Sequence, residues 1–375
     1  MGALRAGQRG RKVLVLDQEE KVGSKILVSG GGRCNFTNLN IAPERYISQN
    51  PRFCLSALRS YTQHDFIGLV DKHKIPYHEK TLGQLFCDGS AQDIVAMLLA
   101  ECADSGVEIR LGQHITGVSK TDVFRVQIEG GEIEAQAVVL ATGGLSIPKM
   151  GATGFSHRIA QQFGLPLVET RPGLVPLTFE GDTLELMRRI SGVALEVVAS
   201  IGKQAFRENM IFTHRGLSGP AILQISSYWR EGQSVTLDLL PEIDAEKFLI
   251  DRKQARSKAE LKTILGEVLP HRLAQSLTEA FFPAAPIGTL SHKELREVAG
   301  LLKAWKLTPT GTEGYAKAEV TLGGVSTHAL SSKTMEAVDV RGLYVVGEAV
   351  DVTGWLGGYN FQWAWSSGWA AGSAV

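Results

Sequence analysis

Three consecutive glycines followed by an arginine, Gly30-Gly31-Gly32-Arg33, set bare backbone beside a permanent positive charge. That combination suits a flat or anionic ligand, because glycine lets backbone N–H groups come close and the guanidinium stays protonated. Around it Lys25, Ser29, Cys34 and Asn35 add a second cation, a hydroxyl, a thiol and an amide, and Thr37 and Asn38 follow. Just upstream an apolar strand over Lys12 to Leu16 ends in Asp17. A strand with an acidic tip, followed by a glycine-rich polar loop, is what a ribose and a pyrophosphate need in a dinucleotide-binding fold. Arg33 suits either the pyrophosphate or an anionic or carbonyl substrate.

Two later stretches repeat the pattern. An apolar run from Ala137 to Leu140 ends in Ala141-Thr142-Gly143-Gly144, as a buried parallel strand does where its tip meets a ligand. A second run ends in Gly347-Glu348, followed by Asp351 and then by Gly357-Gly358-Tyr359-Asn360. A helix is predicted from about Phe361 to Ala374, with free N–H groups and the positive end of its dipole facing the crevice. A reduced flavin carries negative charge at N1/O2, and a helix start aimed there stabilises it. Glu348 or Asp351 suits the ribityl hydroxyls, Asp17 the adenosine ribose, and Thr142 with Gly143 the adenine side. Ile115, at the start of a meander strand, completes the expected cofactor contacts. Trp363, Trp365 and Trp369 recur at helical spacing and read as packing.

Two side chains are candidates for moving a proton. His214 lies in the glycine-bounded turn Thr213-His214-Arg215-Gly216-Leu217-Ser218-Gly219-Pro220, where a histidine that hydrogen-bonds backbone is the plainer reading. Tyr359 opens the helix expected to face the flavin. Cys34 has no CxxxxC partner, since Leu39 stands at that position, so a dithiol relay is excluded and the thiol is expected to be structural.

The elements that must position these residues follow from periodicity. Helices are expected over Pro51 to Lys74, from Ser90 (a capping box with Asp93) to Gly106, and over Phe155 to Phe163. A hairpin is expected over Tyr77 to Asp88, and a meander from Val107 to Ile133. Past Leu165 the texture changes. Pro166, Pro172 and Pro176 interrupt the chain, strands are expected at Val193 to Ile201, Met210 to Phe212 and Val235 to Leu239, and Ser218 is expected to cap a helix through Ala221 and Ile225. The reading is an α/β fold in three parts: residues 1–164 as the first part of a Rossmann-like domain, 165–315 as an insertion (165–243 mostly β, 244–305 mostly helical), and 316–375 as its second part.

With 375 residues, 44% of them hydrophobic and 21% charged, the chain has the composition of an ordinary globular protein with room for two cores. Lysine plus arginine equals aspartate plus glutamate at 39 each, which gives no support to a broad polyanion-binding surface. The four scattered cysteines show no metal-ligand spacing and suit a reducing, cytoplasmic setting. No stretch approaches the ~20 apolar residues of a membrane span.

Taken together, Ser29-Gly30-Gly31-Gly32-Arg33-Cys34-Asn35, Ala141-Thr142-Gly143-Gly144, Phe212 to Pro220, and Gly347-Glu348 with Gly357-Gly358-Tyr359-Asn360 resemble the YhiN/BaiN-like flavoproteins, in order and over the whole chain. The resemblance implies FAD in a two-dinucleotide-type fold, with an inserted substrate region that is part β-barrel-like and part helical. It implies an FAD-dependent oxidoreductase that passes a hydride from NAD(P)H, bound transiently, through flavin N5 to an activated C=C bond. Steroid-like substrates and a uridine of ribosomal RNA are the substrate types known in the family. In the RNA case the basic segment Lys247, Arg252, Lys253, Arg256, Lys258, Lys262 would touch phosphates, although a solvated helix face is the plainer reading. Family members open with a strand and GxGxxG, roughly 20 residues that this sequence lacks, so weak FAD retention is expected, and a cofactor-poor chain without turnover is the third reading.

Overall fold

The computed structural model describes residues 1–375. Contacts divide them into two compact units, Met1–Arg171 with Val320–Val375, and Pro172–Glu319.

Parallel pairing between distant segments organises the first unit. Leu14–Leu16 pairs with Glu108–Arg110, and Val138–Leu140 pairs with Leu343–Val345. Parallel neighbours need long crossovers, and the first carries helices Gln63–Lys72 and Ala91–Asp104. A three-stranded antiparallel meander, Ile115–Lys120, Phe124–Ile128 and Gly131–Ala135, separates Glu108–Arg110 from Val138–Leu140. The strand expected over residues 12–16 shortens to Leu14–Leu16 and is only half-buried, as are Val138 and Val139. Each of these strands has a hydrogen-bonded neighbour on one side alone.

Local signals hold where capping fixes them. Ser90 and Asp93 form their capping box and start helix Ala91–Asp104. The helix expected over residues 51–74 is instead two, Leu55–Ser60 and Gln63–Lys72, because Thr62 turns extended and forms a capping box with Asp65.

The C-terminal helix, Tyr359–Ala374, begins two residues earlier than expected. Its hydrophobicity runs all round, as a helix enclosed by protein requires. Trp365 stacks between Phe66 (4.7 Å) and Phe361 (5.5 Å) and donates its Nε1–H to Phe36 O at 2.9 Å. Trp363 is buried and donates to Gly347 O at 3.0 Å. Trp369 stacks on Tyr61 at 4.6 Å, with the Arg5 guanidinium 4.7 Å from its ring. The tryptophans are packing.

The second unit contains an antiparallel sheet in the order Trp305–Leu307, Val235–Asp238, Ala194–Ile201, Gln204–Phe212, Gly216–Ser218, Leu177–Thr178, Gly311–Thr312. Its two outer strands do not pair with each other, so the barrel-like part of the expectation is an open sheet here. Helices Ala245–Ala255, Leu261–Leu265, His271–Phe281 and His292–Lys303 follow. Ser218 does not cap the short helix after it. Pairing with Ile211 holds Ser218 in the sheet, and Gly219 at φ +91° makes the turn into Pro220–Ser226.

Candidate functional site

Backbone conformation carries the first half of the site. Gly30, Gly31 and Gly32 all have positive φ (57°, 67° and 86°), which folds Ser29–Gly32 into a tight turn after the short helix Ser24–Val28. A Cβ on Gly31 would meet nothing within 4 Å, and the same holds for Gly143 at φ +75°. Both therefore offer open space over bare backbone. Arg33 is exposed beyond the turn. Ser29 Oγ donates to Ile26 O at 2.8 Å and closes the preceding helix, so it is a turn residue.

The next residues are locked from behind. Cys34 is fully buried at φ +48°, and burial pushes its thiol up to about 12, which keeps it protonated at neutral pH. It is a free thiol, as are the other three cysteines. Thr37 Oγ1 donates to Gln362 Oε1 at 2.6 Å, and Asn38 Nδ2 donates to Gly357 O at 2.8 Å. Asn35 lies beside Gly358, where a Cβ would collide with the Thr37 carbonyl and lie 2.9 Å from the Asn35 side-chain amide. Gly358 has φ +91°, so the helix start and the glycine turn close on each other only because no side chain stands between them.

The second half is a charged network at the strand tips. Lys25 Nζ pairs with Glu348 and donates to Ser146 Oγ at 2.8 Å. Ser146 Oγ donates to Glu348 Oε1 at 2.7 Å, and the same oxygen accepts from Thr321 N at 3.0 Å. Thr321 Oγ1 accepts from Leu145 N at 2.8 Å and Ser146 N at 3.2 Å. A Cβ on Gly144 would overlap Thr321 and come within 3.0 Å of Glu348, so only glycine lets these segments meet. Gly347 at φ +65° aims the Glu348 turn, with its N–H on Ser367 Oγ at 3.0 Å. Sequence reading found Lys25 and Glu348 but missed Ser146 and Thr321. The only sequence trace of either was Thr321 in the glycine-rich strand Thr321-Leu322-Gly323-Gly324.

Other expected contacts have their side chains engaged. The Thr142 and Ser156 hydroxyls lie 2.7 Å apart, and Ser156 N donates to Thr142 Oγ1 at 3.1 Å, so this side chain ties the strand tip to the first turn of helix Phe155–Gln162. Asp17 Oδ1 accepts from Glu19 N at 3.0 Å within its own turn. Asp351 is buried, and its carboxylate accepts from Gln49 N (2.9 Å) and Ser48 Oγ (3.4 Å), which ties down the 48–50 loop. Burial raises its carboxyl above the ordinary range. Of the two acids offered for ribityl hydroxyls, Glu348 is the one at the strand tip. Asn360 clamps the Gly354 backbone through both its N–H and its C=O, and Ile115 is half-buried against the core. Ala141 is exposed. The buried Tyr359 phenol pairs with Arg45, whose guanidinium lies 5.6 Å from both the Tyr359 and Trp355 rings.

His214 belongs to the second unit. It is exposed in the 213–216 turn and lines a cavity of about 450 Å³ with Phe179, Arg188, Arg215, Thr312 and Glu313. Three of the six cations of the basic segment are paired with carboxylates. Arg252 and Arg256 share Glu267, Lys262 pairs with Glu260 at 2.8 Å, and Lys253 donates to Leu290 O.

Parallel strand tips, a left-handed glycine turn and a helix start define a Rossmann-like dinucleotide-binding protein. A family model described as HI0933-like protein Rossmann domain matches residues 1–374. The chain belongs to that family, whose members are flavoprotein oxidoreductases. It is 52% identical over 97% of its length to a ribosomal RNA dihydrouridine synthase of Escherichia coli, covering 92% of that protein. It is 45% identical over its full length to a protein of the same name in Haemophilus influenzae, covering 94% of it. A 3-dehydro-bile acid delta(4,6)-reductase of Clostridium scindens is 29% identical over 97% of the chain and 92% of that protein. The residues present fit FAD: open backbone at Gly31 and Gly143, a lysine and a carboxylate at the strand tips, and the N–H groups of a 16-residue helix. No helix is long and apolar enough to cross a membrane.

Proposed function

We propose that this protein is an FAD-dependent reductase of the C5=C6 double bond of a uridine in ribosomal RNA, with NAD(P)H as the transient electron donor. The observation that carries this reading is the 52% identity, over 97% of the chain, to a ribosomal RNA dihydrouridine synthase. Bound FAD supplies a two-electron carrier that accepts a hydride from one partner and delivers it to another. Saturating the uracil ring takes one hydride and one proton, and the second carbon must receive its proton from a side chain or water.

The protein's own residues have separable tasks. Gly30, Gly31 and Gly32 would offer backbone to the cofactor, Arg33 would offer a cation to its pyrophosphate or to the substrate, and Asp17 is assigned the adenosine ribose. Gly143, with the backbone of Ala141 and Thr142, is assigned the adenine side. Glu348, held by Lys25 and Ser146, is assigned the ribityl hydroxyls. The start of helix Tyr359–Ala374 would stabilise negative charge on a reduced ring held there. His214 is the proposed proton donor, since its side chain is exposed while the Tyr359 phenol is buried against Arg45.

The test is dihydrouridine in ribosomal RNA from cells with and without the gene, read by nuclease digestion and mass spectrometry. The expected result is loss of the two-hydrogen mass gain at one uridine, restored by the wild-type gene. An unchanged RNA overturns the reading. The second reading, reduction of a small-molecule enone, rests on the bile acid reductase relative. It predicts NAD(P)H consumption with an enone and none with RNA.

A further inference from the structure

We propose that the cavity of the second unit is a phosphate subsite for a single-stranded RNA segment, with Arg188 and Arg215 as its cationic walls. The assignment rests on the ribosomal RNA reading above. The cavity, about 450 Å³, is lined by both arginines with Thr178, Phe179, Thr312 and Glu313 among its walls. Each guanidinium is held through Nη1, and Arg188 through Nε as well, which leaves the Nη2 of each for a ligand. Arg188 donates Nε–H to His214 O (3.3 Å) and pairs with Glu185 (2.6 Å), with its side chain 52% exposed. Arg215 pairs with Glu313 at 3.2 Å and is 59% exposed. The turn that presents it is rigid: Thr213 Oγ1 accepts from Arg215 N (3.2 Å) and Gly216 N (3.1 Å), and Arg215 O accepts from Phe179 N (3.2 Å). A guanidinium has five N–H donors, so one carboxylate leaves donors for a phosphate.

Two more arginines lie at the end of the helix that carries Arg188. Arg189 is exposed next to Arg188, and the exposed Arg272 donates to Arg189 O (2.5 Å) and Ser191 O (3.3 Å) at the end of helix Gly181–Arg189. The basic segment at 247–262 lines no part of this cavity.

The experiment is fluorescence anisotropy of the full-length protein with a labelled single-stranded RNA of mixed sequence, across a salt series. Arg188→Gln and Arg215→Gln should each make the log affinity–log salt slope shallower by about 0.7, the value of one single-strand phosphate contact. Arg188→Lys and Arg215→Lys should stay near wild type, and Arg252→Gln should not move the slope. Phenylglyoxal footprinting of the wild-type protein needs no variant and should show RNA protecting Arg188 and Arg215. Wild-type slopes in both Gln variants, an equal effect of Arg252→Gln, or no protection overturns the subsite. Dihydrouridine formation with those negative results overturns the subsite alone. Slope loss and protection without dihydrouridine overturns the reduction reading and keeps the RNA subsite.

Discussion

Residues 29–38 and 213–219 look alike as sequence: glycines, one arginine, short polar side chains. In the fold they are opposites. The first stretch is held from behind by the C-terminal helix, with Cys34, Phe36, Thr37 and Asn38 buried and Trp365 bonded to Phe36 O. The second is a surface turn that its own threonine holds rigid and that points His214 and Arg215 outward. What packs behind a glycine turn decides whether its polar groups become part of a cradle or remain free to meet a partner.

That contrast can be broken from either side. Trp365→Ala removes a buried ring stacked on Phe66 and Phe361, and should cost about 3–5 kcal/mol in a denaturant titration, with flavin retention lost as the glycine turn loosens. Gly358→Ala puts a methyl against the Thr37 carbonyl at φ +91° and should cost at least about 2 kcal/mol, by the same titration. Gly31→Ala is the paired control. Its Cβ meets nothing, so it should cost about 1 kcal/mol in stability, while flavin affinity, read by fluorescence on titrating FAD, should fall much more. Equal flavin affinity in Gly31→Ala and wild type would remove the turn from the cofactor site.

Smaller effects sharpen the comparison. Thr37→Val leaves the buried Gln362 Oε1 without its donor and should cost about 1–3 kcal/mol in thermal unfolding. His157 is buried beneath the Glu348 turn, near Ala349 O at 3.2 Å, and burial lowers its pKa below the usual 6.5. The unfolded chain therefore takes up this proton first. Stability from this group is full above about pH 6.5 and is lost as pH falls from there towards the lower folded-state value. His157→Gln should flatten that part of the stability–pH curve, and an unchanged slope would assign it elsewhere. Arg215→Gln, in the exposed turn, should change unfolding by no more than about 0.5 kcal/mol.

Part of the site was legible because it is local. The capping box at Ser90 depends on residues three apart, and left-handed turns at 30–32 and 357–358 need glycine whatever surrounds them. Cys34 without a CxxxxC partner was legible as an inert thiol. The remainder was not, because its partners are far apart in sequence. Asp351 and Glu348 looked equivalent until the fold buried Asp351 against the 48–50 loop and left Glu348 at the strand tip, paired with Lys25. Ser218 looked like a helix cap until pairing with Ile211 kept it in a strand.

Sequence alone determined the fold class, the glycine positions and the candidate cofactor residues, since hydrophobic period and backbone freedom are properties of short segments. Only the tertiary structure decided which charges are spent and which are free. Lys25 meets Glu348 across 323 residues, Glu267 pairs with both Arg252 and Arg256, and Arg188 and Arg215, paired with Glu185 and Glu313, line a cavity. A charge acts according to the nearest opposite charge and the solvent around it, and both are set by packing.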